Sequence, residues 1–167
     1  MSERDLVDDV ERVLVGRGFT AYREVSFLLP TWDGGDQKRR VDLYAKAPTT
    51  WEHHRLWTVI AVEAKRRDGG ELSAEIDGMF QARSVMFGRD FRLGNLDFVR
   101  PSIALYVDAE SWTPENVAHT ERETMLAERI LWREGGSILR RDYRGDPYFI
   151  FASTGRPQKT YRFPERA

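Results

Sequence analysis

Arg39-Arg40-Val41-Asp42-Leu43-Tyr44-Ala45 and the run from Leu56 to Lys65, LWTVIAVEAK, are the two stretches whose reading decides the fold. The second is apolar and β-branched over Val59 to Val62 and reads as a buried strand. Its side chains alternate, so Ile60, Val62 and Ala64 take one face while Ala61, Glu63 and Lys65 take the other. A carboxylate and an ammonium therefore share a face at the strand's end. With the first stretch as its antiparallel neighbour, a loop of about ten residues brings Asp42 beside Glu63. Two acids and a lysine converging on one spot is the constellation that a divalent cation and an activated water require.

Working outward, residues 2–16 predict an amphipathic helix with Leu6, Val10, Val13 and Leu14 on one stripe, Ser2 and Asp5 as a capping pair, and Gly16 and Gly18 as its stop. Glu11 lies beside that stripe and is placed to lean toward the sheet; the alternative is a solvated surface acid. Residues 19–29 predict a strand, followed by a turn over Pro30 to Asp36. After Lys65 the run Arg66-Arg67-Asp68-Gly69-Gly70 breaks the strand. Glu71 to Phe87 then predicts a helix with Leu72, Ile76, Met79 and Phe80 inward, Gly78 at a close approach, and Gln81 toward either solvent or the site. A loop over Gly88 to Arg100 leads to a buried strand, Pro101 to Val107, parallel to the earlier one. Thr113-Pro114-Glu115 signals a helix start, the helix running to Arg133 and stopping at Gly135-Gly136. Ser137 to Arg141 and Tyr148 to Ala152 predict a closing hairpin. The order is α-β-β-β-α-β, then a C-terminal helix and hairpin: an α/β fold with a mixed central sheet flanked by helices, residues 1–167 forming a single domain.

Composition narrows the chemistry. With 41% hydrophobic residues the chain is not a disordered one, and no apolar run approaches membrane-spanning length. The charged opening MSERDLVDDVERV lacks the apolar core of a signal peptide, so a cytoplasmic protein with no membrane partner is expected. There is no cysteine, and the three histidines do not fall at zinc-site spacing, so any metal centre must be built from oxygens, which favours Mg²⁺ or Mn²⁺. A net charge of −1 excludes a general polyanion binder. Cations nonetheless cluster at Lys38-Arg39-Arg40, Lys65-Arg66-Arg67 and Arg140-Arg141, either as a phosphate-binding surface or as soluble strand ends.

An acid two residues before a lysine is a cheap coincidence in so charged a chain, and Asp36-Gln37-Lys38 matches the same pattern within a predicted turn. Glu63-Ala64-Lys65 differs because it ends a buried strand, where leaving two charges unpaired costs several kcal/mol each. The plainer alternative is an ordinary same-face ion pair at a solvated strand end. In Val41-Asp42 and Glu63-Ala64-Lys65, and in the order of elements from Ser2 to Val107, the chain resembles the PD-(D/E)XK nuclease superfamily, the restriction-endonuclease-like fold shared with Holliday-junction resolvases. Val41 stands where that signature has proline. The resemblance implies that Asp42, Glu63 and the Ala64 carbonyl bind Mg²⁺ or Mn²⁺, that Lys65 orients or activates the attacking water, and that Glu11 is a further active-site acid. Gln81 is followed by Val85 rather than the tyrosine of some branches.

The implied activity is metal-dependent (endo)nucleolytic hydrolysis of phosphodiester bonds, in DNA before RNA, leaving a 5′-phosphate. Lys38, Arg39, Arg40, Arg66, Arg67, Gln81 and Arg83 are the expected nucleic-acid contacts, and their binding should weaken with salt. A homodimer or a helicase or translocase partner is common in this superfamily. The rival expectation is a non-catalytic nucleic-acid-binding or protein-interaction module on the same fold, with Trp32, Trp51, Trp57 and Trp112 as candidate stacking residues and Trp57 the one most readily placed in the core. A hydrolase built on His53 or His54 is the third, and the weakest, because adjacent strand residues face opposite ways.

Overall fold

A computed structural model of the chain describes residues 1–66, 72–112, 130–151 and 159–166. Helix α1 (Glu3–Gly16) starts as the capping pair dictates: the Ser2 hydroxyl accepts from the Asp5 N–H at 3.1 Å, and the Asp5 carboxylate accepts from the Ser2 N–H at 2.9 Å. Leu6, Val10 and Leu14 are buried along one stripe, which is what attaches the helix to the sheet. Strands β1 (Thr20–Pro30), β2 (Asp36–Lys46) and β3 (Val59–Lys65) then form an antiparallel meander. Helix α2 (Leu72–Val85) follows, then β4 (Arg89–Leu93), β5 (Leu96–Phe98), β6 (Ile103–Asp108), the short α3 (Ala109–Trp112), β7 (Gly136–Arg141), β8 (Pro147–Phe151) and β9 (Lys159–Arg162).

All nine strands join one mixed sheet in the order β5-β4-β1-β2-β3-β6-β7-β8-β9. The pairs β3–β6 and β6–β7 are parallel and the rest antiparallel, so the molecule is α/β with helices against the sheet. The alternation expected in β3 holds. Ile60, Val62 and Ala64 join Leu6, Val10 and Leu14 under α1, whereas Val59 and Ala61 pack with Val85 of α2 on the opposite face. Among the described residues no helix is long and apolar enough to cross a membrane.

Several sequence expectations are corrected. The stretch 88–100 is not a loop: β4 and β5 form a hairpin across Gly94-Asn95, with Leu93 opposite Leu96 and Gly94 at φ +59°, and the Gly-Asn pair was its visible signal. Asp36 to Lys38 begin β2 rather than lying in the turn, and Asp36 is tied to Arg89. Helix α2 buries Met79, Ala82 and Val85, while Phe80 points outward. Helix α3 begins at Ala109, before Thr113, because Asp108 accepts from the Ser111 N–H at 2.8 Å and caps it. The remainder of the predicted C-terminal helix, 113–129, lies outside the described residues. Its stop does not: Gly135 takes φ +80°, the left-handed conformation that ends a helical turn. The closing hairpin is present as β7 and β8, but β9 covers the free edge of β8, so that edge is occupied by the chain itself.

Candidate active-site cleft

Strands β2 and β3 pair from Lys46–Val59 as far as Leu43–Val62, and there the ladder ends. The next residues are Asp42 and Glu63. In place of another backbone pair, the Asp42 Oδ2 accepts the Ala64 N–H at 2.7 Å, so a side chain takes over from the main chain and the strands part. Glu63 remains buried at 6% exposure, and its carboxylate lies 3.0 Å from the Lys65 ammonium. Opposite Asp42, Glu24 of β1 stands at φ +54° between the paired residues Arg23–Leu43 and Val25–Val41. A left-handed glutamate within a strand is backbone strain of about 1 kcal/mol, and it falls at the point where the sheet opens. The resulting cleft, about 700 Å³, is lined by Glu24, Lys38, Arg39, Arg40, Asp42, Glu63, Lys65 and Gln81.

The electrostatics follow from crowding acids into a half-dry site. Burial pushes the Glu63 carboxyl up to about 7, and the Asp42 charge adds to the rise against the pull of Lys65. Asp42 is also raised, first by burial, although the Ala64 N–H and Lys65 oppose the shift. For Lys65, burial works downward but Glu63, Glu3 and Asp42 outweigh it, and the net direction is up. The ammonium is thus held charged by the carboxylates around it.

Gly78 fixes where that ammonium stem lies. A Cβ at this position would stand 2.6 Å from both Lys65 Cγ and Tyr106 Cε2, so α2 lies almost in backbone contact with the lysine. Tyr106, next to Glu63 across the β3–β6 pair, is itself held by its hydroxyl donating to Asp108 at 3.0 Å.

The structure brings Asp42, Glu63, Lys65, Lys38, Arg39, Arg40 and Gln81 to one cleft, and does not bring Glu11 or Arg83. Glu11 instead accepts from Arg23 Nε at 2.7 Å, one of two acids that clamp Arg23 to α1. The acid of α1 that does approach is Glu3, 3.9 Å from the Lys65 ammonium and 3.4 Å from the Arg66 N–H. Sequence reasoning missed it because the helix stripe does not say which helix end meets β3. Arg83 pairs with Glu134 at 3.0 Å and lies over the rings of Phe80 and Phe87. Arg66 is exposed at the end of β3, and Arg67 lies outside the described residues. His53 and His54 belong to the loop at the far ends of β2 and β3, where the His53 ring packs against Trp51 and Tyr161. Trp51 and Trp112 are buried and Trp57 packs against the core, leaving Trp32 as the exposed one of the four.

Asp42 and Glu63 form an oxygen donor set suited to a hard divalent cation, and the burial that raises both carboxyls, together with the Asp42 charge that acts on Glu63, is what such a cation would offset. Among the described residues no group of three or more acidic or histidine side chains is arranged to hold a metal, so further ligands would have to come from backbone, solvent or substrate. No protein-family model matches the chain, and neither the curated proteins nor the solved structures yield a match to it.

Proposed function

We propose that the chain is a metal-dependent nuclease with a restriction-endonuclease-like arrangement of its central elements, hydrolysing phosphodiester bonds in nucleic acid, DNA before RNA. The observation that carries this reading is the parting of β2 and β3 at Asp42 and Glu63, with Lys65 3.0 Å from Glu63 in a cleft edged by Lys38, Arg39 and Arg40. In it Asp42 and Glu63, with the Ala64 carbonyl as the expected third oxygen, hold Mg²⁺ or Mn²⁺. A divalent cation in such a setting supplies Lewis-acid stabilisation of a phosphoryl oxygen and a more acidic water. Lys65 offers its ammonium to the attacking water and to the charge developing on phosphorus. Glu3 and Glu63 keep that ammonium charged and in place, and Gly78 sets the height of its stem. Lys38, Arg39 and Arg40 hold the substrate backbone, and Gln81 reaches the same space from α2.

The test is incubation of single-stranded, double-stranded and branched DNA and RNA with Mg²⁺, Mn²⁺ or a chelator. Cleavage of at least one substrate with metal, and none with chelator, is the expected result. Binding to one of these without cleavage under any metal would favour the non-catalytic nucleic-acid module instead.

A further inference from the structure

Beyond Lys38, Arg39 and Arg40, which edge the cleft, the outer end of the β1–β2 hairpin has no role in the chemistry described above, yet it is built to a plan. From Asp36 to Arg40 every residue of β2 is exposed, and β3 pairs with β2 only over Leu43 to Lys46, so this stretch presents an open strand edge. At the tip, Trp32 is 100% exposed. An indole left wholly in water gains nothing from burial, whereas the other three tryptophans considered for stacking are in or against the core.

The tip is nonetheless well held. The Thr31 N–H donates to the Gly35 carbonyl at 2.9 Å, the Gly34 N–H to the Thr31 carbonyl at 3.1 Å, and the Gly35 N–H to Asp33 Oδ1 at 3.1 Å. Gly34 takes φ +83°, which the turn requires. The turn's hydrogen bonds close upon themselves, so Trp32 is presented outward with little backbone left to order on binding. The charges beside it are arranged unevenly. Asp36 is tied to Arg89 and Arg40 to Glu24, while Lys38 and Arg39 have no ion pair among the described residues and line the way to the cleft.

We propose that this hairpin is a nucleic-acid-binding arm, in which Trp32 stacks on an unpaired base while Lys38 and Arg39 follow the phosphate backbone into the cleft. The substrate is then single-stranded, or locally unpaired, on that side. The inference rests on reading the cleft as a nucleic-acid site and specifies which nucleic acid it takes. A base offers its π face to an indole only when it is out of a continuous stack, and unstacking a paired base carries a cost that a single strand avoids. A protein partner fits less well at the indole itself, since its turn neighbours Thr31, Asp33 and Gly34 are polar or lack a side chain and the exposed cations Lys38 and Arg39 follow it along β2. From Asp36 to Asp42 an extended strand spans about 20 Å. Trp32 lies beyond Asp36 in the turn, so the contacted base sits at least that far from the scissile phosphate.

The test is fluorescence anisotropy in chelator, so that binding is read without cleavage, using a labelled single strand and the matching blunt duplex. Wild type, Trp32→Ala and Trp32→Phe are compared. Expected are tighter binding of the single strand, a loss of about 5- to 100-fold for it in Trp32→Ala, little change for the duplex, and near-complete retention in Trp32→Phe. Unchanged single-strand binding by Trp32→Ala, or an equal loss on both ligands, overturns the arm while leaving the cleft reading intact. Failure of the wild type to bind the single strand overturns the arm, whereas the cleft reading falls only if metal-dependent cleavage is also absent.

Discussion

Glu63→Gln should abolish cleavage and yet make the protein more stable above neutral pH. The two effects separate a working site from a structural ion pair. Glutamine keeps the shape of the buried side chain but removes the charge that burial and Asp42 penalise. The sign follows from the direction of the shift. The Glu63 carboxyl titrates at about 7 in the folded protein against 4.5 for the ordinary group, so between these values the folded state holds a proton that the unfolded chain has released. Its contribution to stability is therefore fully present below about pH 4.5, falls as pH rises through 7, and is lost above it.

The gap corresponds to about 3 kcal/mol, an upper bound because the substitution also removes a partner from Lys65. Lys65 is partly exposed and keeps Glu3 and Asp42 nearby, so that offset is modest. Urea unfolding at pH 5 to 8 should show Glu63→Gln gaining roughly 1 to 3 kcal/mol over wild type at pH 8 and little at pH 5. Were Glu63–Lys65 instead a bridge kept for stability, breaking it would cost about 3 to 5 kcal/mol at pH 8, the opposite sign. Cleavage is expected to fall by at least about 10²-fold, since one of the two carboxylates expected to hold the divalent cation is lost.

Gly78→Ala is the second large effect, and it too runs against the ordinary rule. In an exposed helix interior this change stabilises by about 1 kcal/mol. Here the new methyl would meet Lys65 Cγ and the Tyr106 ring at 2.6 Å, and neither yields cheaply: Tyr106 is buried and tethered to Asp108, and the contact on Lys65 is near the root of its side chain. Overpacking of this kind costs about 1 to 3 kcal/mol, so the net result is destabilisation. Because the strain is relieved most readily by moving Lys65, cleavage should drop by more than the fraction unfolded explains, read as kcat at a temperature where circular dichroism reports full folding. A stabilised Gly78→Ala protein with unaltered kcat would mean that α2 does not set the lysine.

The parts of the site that could be read in the sequence were those fixed by period and polarity. A buried β-branched run ending in Glu63-Ala64-Lys65 leaves only one face for both charges, and an antiparallel neighbour then carries Asp42 to the spot. Ser2 and Asp5 announced the start of α1, and Gly78 announced a close approach. What escaped depends on the direction of whole elements. Helix α1 carries five acids, Glu3, Asp5, Asp8, Asp9 and Glu11, and only the packing of the helix start near the end of β3 selects Glu3, while Arg23 on β1 captures Glu11. Helix α2 hides its inward face because Gly78 and Ala82, which share that face with Met79 and Val85, carry almost no hydrophobic signal, while Phe80 and Phe87 lie outside and hold Arg83 between them. The β4 and β5 strands are short and mostly charged at solvent-facing positions, so the Gly94-Asn95 turn was the stronger clue to them.

The central claim, that Asp42, Glu63 and Lys65 form one hydrolytic site, is tested most directly by single-turnover cleavage with Mn²⁺ by wild type and Lys65→Ala. Both proteins are first shown by circular dichroism to be folded. Lys65 is partly exposed, so its truncation should leave the fold intact, and the expected result is metal-dependent cleavage by the wild type that falls at least about 10²-fold in the variant. Cleavage by Lys65→Ala at the wild-type rate would contradict the account and move the activity to another site.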